Sequence, residues 1–428
     1  MSHAGSALLG QVADRLGLTR ALSLRLASLK QRRRGHDPGR VVRDLAVMLA
    51  DGGECVSDLG AVREQEALFG PVASDSTAFR MIDRIASEPG LLEALRSAHA
   101  RARDRFWKLH GAPERLTIDI DATLITAHSE KEHAAGNYKH GFGFHPLHAY
   151  ADETREALGA ILRPGNAGSN TAADHKTVLD RALAQIPAEY IENLKILVRA
   201  DSAGATHELA DHCHEGNMRF SFGYELTESV RTAILETPAD AWIAALDQDG
   251  SARENGQVAE ITDRLDLSSW PEGSRLIVRR ERPHPGAQLS FTDHDGYRFQ
   301  AILTDQGDRD IALIERRHRQ RARVEDRIRD DKDTGLAKFP FKEFALNEVW
   351  LEIVLLAHDL IIWTQALVLD GELAKAEPKR LRYRLLHVAG RLAFHSRKAK
   401  LHLQDTWPWA AELVAAFEKL TALPAATG

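Results

Sequence analysis

The chain has 428 residues, of which 43% are hydrophobic and 28% charged, and its formal net charge is -6. This length exceeds one typical domain, and the composition excludes a fibrous or disordered chain. Cys55 and Cys213 are the two cysteines, so a disulfide framework and a four-cysteine zinc site are excluded. The negative charge disfavours a generic nucleic-acid binder, although basic clusters at residues 30–34, 316–329 and 379–400 are either phosphate-binding patches or solvated helix faces.

The first part of the chain, residues 1–110, is predicted to be a helical accessory domain. Apolar residues recur at three-to-four spacing over residues 8–29, 41–50 and 91–109, which is typical of amphipathic helices. Glycine and proline separate these segments. No signal-peptide pattern is present, so a cytoplasmic location is expected.

From residue 116 the apolar period changes to two, which predicts a strand with Asp119 and Asp121 on its polar face. Two further strand candidates, residues 145–150 and 157–163, complete an antiparallel meander with it. A helix, a buried strand ending at Asp201 and a fifth strand follow, at residues 172–186, 194–200 and 218–224. This order of elements predicts a ribonuclease-H-like core in the mixed α/β class, with its first part at residues 111–225.

The remaining sequence divides into three predicted parts. Short strand candidates separated by turn residues predict a β-rich insertion at 226–309, with strands at 241–246, 275–282 and 297–303. Strongly helical sequence over 311–369 predicts that the core resumes at 310–372. Residues 373–428 are predicted to be a C-terminal helical region, with helix over 379–423.

The most apolar stretch, residues 346–369, is long enough to cross a bilayer. Glu348, Glu352 and Asp359 interrupt it, so we interpret it as a buried amphipathic helix and predict no membrane span.

Three acidic residues are the strongest candidates for chemistry. Asp121 lies within the strand-like run 116–125, Asp201 closes the run 194–201, and Glu325 lies in a charged helix. A buried carboxylate takes up a proton unless positive charge neutralises it, and a divalent cation supplies that charge. We interpret the three acids as a site for two metal ions. Asp119 competes with Asp121 because both side chains leave the strand on the same side, and Asp119 is expected to play a supporting role.

The helix around Glu325 carries cations at regular spacing. At about 100° per residue, His318, Arg321, Glu325 and Lys332 fall within an arc of about 60°. Cations beside a metal-binding glutamate suit a nucleic-acid strand, because they contact phosphate oxygens while the carboxylate binds the metal. The alternative is a solvated helix with opposite charges paired one turn apart.

These motifs resemble the DDE transposases of bacterial insertion sequences, specifically the insertion sequence 1380 family in the group marked by a tyrosine, arginine, glutamate, lysine signature. His318-x2-Arg321-x3-Glu325-x6-Lys332 matches three of the four signature residues, with His318 in place of tyrosine. The motifs at 121–123 (Asp-Ala-Thr) and 199–204 (Arg-Ala-Asp-Ser-Ala-Gly) are similar to those around the first and second family aspartates. Further similarity covers 45–70, 162–175 and 381–409.

The resemblance implies cut-and-paste DNA transposition by hydrolysis and transesterification. Asp121, Asp201 and Glu325 would hold two Mg²⁺ ions, with Mn²⁺ as a substitute, and His318, Arg321 and Lys332 would contact DNA. The implied partners are double-stranded DNA with terminal inverted repeats, target DNA and a second copy of the chain, in a cytoplasmic, nucleoid-associated setting. Relatives often form a DNA hairpin with a rotated base, for which Trp242, Trp270 and Tyr297 are candidates.

Two other functions stay open from the sequence. One is a metal-dependent nuclease on the same core that cuts without strand transfer. The other is a non-catalytic DNA-binding protein derived from a transposase, which the intact acidic triad disfavours.

Overall fold

The computed structural model describes residues 1–168, 171–283, 294–395 and 398–425. The N-terminal part is helical, as predicted, and comprises α1 (Ala7–Arg15), α2 (Leu18–Arg25), α3 (Pro38–Ala50), α4 (Leu59–Arg63), α5 (Glu66–Phe69), α6 (Asp75–Ser87) and α7 (Leu91–His110). The predicted helix over 8–29 is divided, because Gly17 adopts a left-handed conformation with φ 75° between α1 and α2.

The next part contains most of the strands. They are β1 (Arg115–Ala122), β2 (Ile125–Thr126), β3 (Ala135–Gly136), β4 (Phe142–Phe144), β5 (Leu147–Ala151), β6 (Ala157–Ile161), β7 (Lys195–Ala200), β8 (Arg219–Tyr224), β9 (Ile243–Leu246), β10 (Ala252–Glu260), β11 (Arg275–Glu281) and β12 (Arg298–Thr304). Within the described residues, nine of them form one sheet in the order β6-β5-β1-β7-β8-β12-β11-β10-β9, and β2, β4 and β3 form a smaller sheet.

The first five strands of the large sheet have the predicted ribonuclease-H-like topology. β5 and β6 form the antiparallel meander with β1, and β7 and β8 continue the sheet parallel to β1. The crossover connections contain α8 (Ala172–Ala184), α9 (Ala188–Ile191) and α10 (His207–Glu215). Because both sides of β1 and β7 are covered, residues 116–120 of β1 and 196–200 of β7 are buried.

The insertion extends the core sheet. β12 pairs antiparallel with β8, and β11, β10 and β9 follow outward, with α11 (Glu228–Leu235) preceding them. The three predicted insertion strands are present, but β10 has no counterpart in the prediction. Its sequence, Ala-Arg-Glu-Asn-Gly-Gln-Val-Ala-Glu, is mostly polar, and its register shifts between Ala252 and Gln257, so apolar alternation does not mark it.

The sequence predicted uninterrupted helical character over 311–369, and the structure divides this stretch. α12 (Ile311–Arg319) and α13 (Arg323–Asp331) flank a 3₁₀ turn at Gln320–Ala322, and a π-helical turn at Lys332–Leu336 precedes α14 (Phe344–Val368). Helix α14 is long and apolar enough to cross a membrane, but 89% of its most apolar window is buried inside the fold. It is therefore a core helix buried on every side, rather than the amphipathic helix predicted.

The prediction of a wholly helical C-terminal region is wrong. α15 (Pro378–Leu381) and α16 (Ala410–Ala422) flank a hairpin of β13 (Gly390–His395) and β14 (Lys398–Leu403). Side chains alternate along it: Leu392, Leu401 and Leu403 are half-buried, whereas Arg391, Lys400 and His402 are exposed. This period of two belongs to a strand, and the many basic residues obscured it.

A buried ionic cluster joins the N-terminal helices to the core. Glu156, beside β6, accepts hydrogen bonds from Arg103 at 3.0 Å, Trp107 at 2.7 Å and Trp363 at 2.8 Å. Arg103 also pairs with Asp359 of α14 at 2.5 Å. Asp359, one of the polar residues that interrupt the apolar sequence of α14, is therefore an internal anchor that pairs across the core.

Candidate active site

Asp121 and Asp201 lie side by side because their strands are parallel neighbours. Ile120 of β1 pairs with Ala200 of β7, so the two aspartates are the next residues at the same end of the sheet, where adjacent strands are about 4.8 Å apart. Asp121 accepts a hydrogen bond from the backbone of Ala122 at 3.0 Å, and Asp201 accepts one from Ala203 at 3.0 Å. The backbone thus fixes one oxygen of each carboxylate.

Glu325 reaches this end of the sheet from the first turn of α13, which packs against β1. Burial raises the pKa of Asp121 to about 6, and the negative charges of Asp201 and Glu325 add to this effect, while Arg321 opposes it. Asp201 and Glu325 therefore both lie within electrostatic reach of Asp121. Their roles in catalysis stay a prediction.

The donor set suits a hard divalent cation. Three carboxylates supply oxygen ligands, which Mg²⁺ and Mn²⁺ prefer over sulfur and imidazole ligands. The guanidinium of Arg321 lies 3.7 Å from the Asp121 carboxylate, and its buried Nη1 has no hydrogen-bond partner. Arg321 only partly offsets the charge of the carboxylates, since the pKa of Asp121 stays raised, and a metal ion would neutralise the remaining negative charge.

Asp119 has a different environment. It forms a bidentate pair with Arg199, at 2.7 and 2.6 Å, and Arg199 also lies 3.0 Å from Asp152. The carboxylate of Asp119 is therefore occupied within the protein, and Asp121 stays the predicted metal ligand of the two.

The predicted DNA contacts do not lie on one ideal helix. The 3₁₀ turn contains Arg321, and Lys332 begins the π-helical turn, so the constant rotation behind the predicted arc does not apply. His318 forms a hydrogen bond to Ser221 at 3.0 Å, and burial lowers its pKa to about 3. It is neutral at physiological pH. Lys332 is half-buried, and burial together with the charge of Lys139 lowers its pKa.

Of the predicted basic patches, residues 316–329 are largely engaged within the chain. Arg317 pairs with Asp308 at 2.9 Å, Arg323 with Asp152 at 3.2 Å, and Arg329 with Glu377 at 3.2 Å. These three partners lie well beyond one helical turn away in sequence, whereas the alternative predicted opposite charges one turn apart; of the latter kind, Arg329 pairs with Asp326 at 2.9 Å. Residues 30–34 are exposed, and the 379–400 cluster extends partly outside the described residues.

The aromatic candidates in the insertion differ in exposure. Trp242 is only 6% exposed, and the guanidinium of Arg280 lies 4.1 Å from its ring centre. Trp270 and Tyr297 are half-buried, and Arg280 lies 5.0 Å from the ring of Tyr297. Trp242 has a core role, whereas the other two retain accessible ring surface.

Two histidines near Asp201 were not singled out as site residues by sequence. His145 and His175 are 5% and 2% exposed, burial lowers the pKa of each, and both lie within reach of the charge of Asp201. His145 directly follows β4 and His175 lies near the start of α8, and the fold brings both side chains close to Asp201. Only the topology could reveal this proximity.

Gly223 of β8 sets the position of Asp201 from the other side. A Cβ atom at Gly223 would lie 2.9 Å from the nitrogen of Ser202 and 3.1 Å from the carbonyl carbon of Asp201. We expect Gly223→Ala to displace Asp201 and to weaken metal-induced stabilisation, with about a 100-fold loss of any metal-dependent activity. Gly307→Ala is the matched control, because no atom lies within 4 Å of its added Cβ. The stabilisation by metal is measured by thermal unfolding over a metal titration. Equal stabilisation of the two variants would contradict this role of Gly223.

A buried network holds the far end of α13. Asp331 accepts a hydrogen bond from Tyr150 at 2.5 Å and pairs with His358 of α14 at 2.5 Å. Burial disfavours the charged imidazole, but Asp331 outweighs this and raises the pKa of His358 to about 9. The pair fixes the end of the helix that carries Glu325, next to Lys332.

This pair should make stability fall with rising pH. The folded pKa of His358 exceeds its ordinary value of 6.5, so its contribution is complete below about pH 6.5 and is lost as the pH passes about 9. We expect a loss of about 1–3 kcal/mol in the free energy of unfolding between these values, measured by urea denaturation. His358→Gln should lack this component. An unchanged pH slope in that variant would contradict the assignment.

The ribonuclease-H-like sheet is the fold of DDE transposase domains, and the acids on β1, after β7 and on α13 are the candidates for the acidic residues of that class. The model of the family described as transposase DDE domain group 1 matches residues 1–425, so the chain belongs to this family. Members of the family use divalent metal ions. No curated protein matches the chain significantly.

Among solved structures, the chain is similar to the piggyBac transposase in a cryo-EM structure of its synaptic complex with hairpin DNA. The two share 11% identity, the match covers 90% of this chain and 80% of that chain, and the TM-score is 0.42.

Proposed function

We propose that this chain is the transposase of a bacterial insertion sequence of the 1380 family, which cuts the element at its terminal inverted repeats and joins it to target DNA. The observation that supports this most strongly is the convergence of Asp121, Asp201 and Glu325 at one end of the sheet. Such a cluster of acids is suited to metal-dependent cleavage of a phosphodiester.

Two Mg²⁺ ions, or Mn²⁺ in their place, would be held by these three carboxylates. When bound, the ions would activate a water or 3′-hydroxyl nucleophile and stabilise the leaving oxygen. The protein contributes positioning: backbone hydrogen bonds orient Asp121 and Asp201, and Arg321 offsets part of their charge.

The cationic side chains of the site would bind the negatively charged phosphates of DNA. The charge of Lys139 disfavours the charged form of Lys332, and a bound phosphate would relieve this repulsion. Arg321 would contact the strand beside Asp121, and the neutral imidazole of His318 would contribute at most a hydrogen bond. Trp270 and Tyr297 would be available to stack on a rotated base.

Assembly of the active complex would require binding of the repeats and pairing of the two element ends. The N-terminal domain at 1–110, with its exposed residues 30–34, would bind the repeats, and a second copy of the chain would bring the second end. The protein would act in the cytoplasm on the nucleoid.

The test uses purified protein, Mg²⁺ and a DNA fragment carrying the inverted repeats that flank the encoding element. We expect nicked, excised and joined products, all absent with Asp201→Asn. Cleavage without any joining would favour the nuclease alternative. Repeat binding without cleavage, unchanged by Asp121→Ala, would favour the non-catalytic alternative and overturn the proposal.

A further inference from the structure

Three side chains from distant parts of the chain meet outside the acidic site. His3 lies before α1, Asp51 follows α3, and His387 follows the π-helical turn at Arg382–Leu386. The Nδ1 of His3 lies 2.5 Å from one oxygen of Asp51, and the Nε2 of His387 lies 3.2 Å from the other. The two imidazole rings are 4.1 Å apart.

The geometry is close to that of a metal centre. One ligand atom from each residue lies within 4.8 Å of the other two. Tetrahedral Zn²⁺ with bonds of about 2.0–2.2 Å needs ligand atoms about 3.4 Å apart, so the His3 contact would open by about 1 Å. The Nε2 of His387 would also exchange its contact with the backbone carbonyl oxygen of Asp51, at 3.0 Å, for the metal. Ser6 donates a hydrogen bond to Asp51 at 2.5 Å, the kind of supporting contact that orients a metal-binding carboxylate.

The donors differ in kind from those of the acidic site. Two imidazoles and one carboxylate favour Zn²⁺ and related transition metals, whereas three carboxylates favour Mg²⁺ and Mn²⁺. Asp51 is buried, His3 is half-buried and His387 is exposed, so the cluster opens to solvent on one side, where water can take the fourth position.

We propose that His3, Asp51 and His387 form a second, structural metal site of the Zn²⁺ class. It would connect the beginning of the chain and the end of α3 to the C-terminal region. Arg382 extends this junction, because it donates hydrogen bonds to the carbonyl oxygens of Ala50 at 3.3 Å and Asp333 at 2.9 Å. Asp333 lies in the turn that follows α13, so an occupied site would stabilise the attachment of the helix that carries Glu325.

The experiment measures Zn²⁺ and Co²⁺ binding to the full chain in the Asp201→Asn background, with excess Mg²⁺ present to occupy the remaining carboxylates. We expect one equivalent of Zn²⁺ to be retained after gel filtration, and Co²⁺ to give the visible absorption of a tetrahedral complex. Thermal stability should rise with the logarithm of free Zn²⁺ concentration. His402→Gln, which alters an exposed histidine of β14, is the matched control and should behave like its parent.

His3→Gln and His387→Gln should each lose the retained Zn²⁺ and the Co²⁺ absorption while remaining folded by circular dichroism. Binding of one equivalent in all three histidine variants would place the metal elsewhere and overturn the proposal. Absence of retained metal in the parent would also overturn it, since the three residues would then form a hydrogen-bonded contact alone.

Discussion

Asp121→Asn is expected to abolish metal-dependent DNA cleavage and, at the same time, to stabilise the metal-free protein. Removing one ligand from the acidic site forfeits several kcal/mol of transition-state stabilisation, which corresponds to a loss of about 10³-fold or more in rate. The gain in stability has a separate cause, because Asp121 is ionised in a site that disfavours its charge.

The direction of the stability effect follows from the raised pKa of Asp121, about 6 against an ordinary 3.8. Its carboxyl favours the folded state fully when protonated, below about pH 4, and this contribution is lost as the pH passes about 6. At pH 8 the asparagine avoids the cost, so the free energy of unfolding without metal should rise by about 1–3 kcal/mol.

The measurement is urea denaturation at pH 8 with EDTA and with Mn²⁺. Wild type should be stabilised by Mn²⁺ and the variant should not, so their order of stability should reverse when metal is added. Asp211→Asn, at an exposed position of α10, is the control and should follow wild type. An Asp121→Asn protein that is less stable than wild type in EDTA would contradict the electrostatic account.

Glu156→Ala should be among the most destabilising single substitutions in the chain, at about 3–5 kcal/mol. It would leave the fully buried guanidinium of Arg103 without one partner and the indole nitrogens of Trp107 and Trp363 without acceptors. Glu156→Gln should cost less, because the amide oxygen still accepts a hydrogen bond.

Urea denaturation compares these variants with Glu130→Ala, which removes an exposed glutamate. A loss for Glu156→Ala within about 1 kcal/mol of that control would show that the cluster does not join the N-terminal helices to the core as described.

The acidic site could be predicted from sequence where local patterns carried the information. Apolar alternation before Asp121 and the buried run before Asp201 mark strands, and two parallel strands place residues at their carboxyl ends side by side. The family resemblance supplied Glu325. The sequence pattern alone could not distinguish Asp119 from Asp121, because the pairing partner Arg199 is 80 residues away.

Other features depend on contacts that have no local pattern. β10 is held by its neighbours in the sheet despite a polar sequence, and the C-terminal hairpin emerges only when Leu392 and Leu401 face the same side. The turns around α13 change the directions of Arg321 and Lys332 relative to an ideal helix. The pairing of Asp331 with His358 likewise arises from tertiary packing.

The most direct test of the central claim is anomalous diffraction from crystals of the protein with Mn²⁺ and a cleaved inverted-repeat end. We predict two peaks about 3.5–4 Å apart, each within coordination distance of at least one carboxylate from Asp121, Asp201 and Glu325, with the DNA end beside them. Manganese peaks away from these carboxylates, or a DNA end bound elsewhere with these acids free of metal, would contradict it.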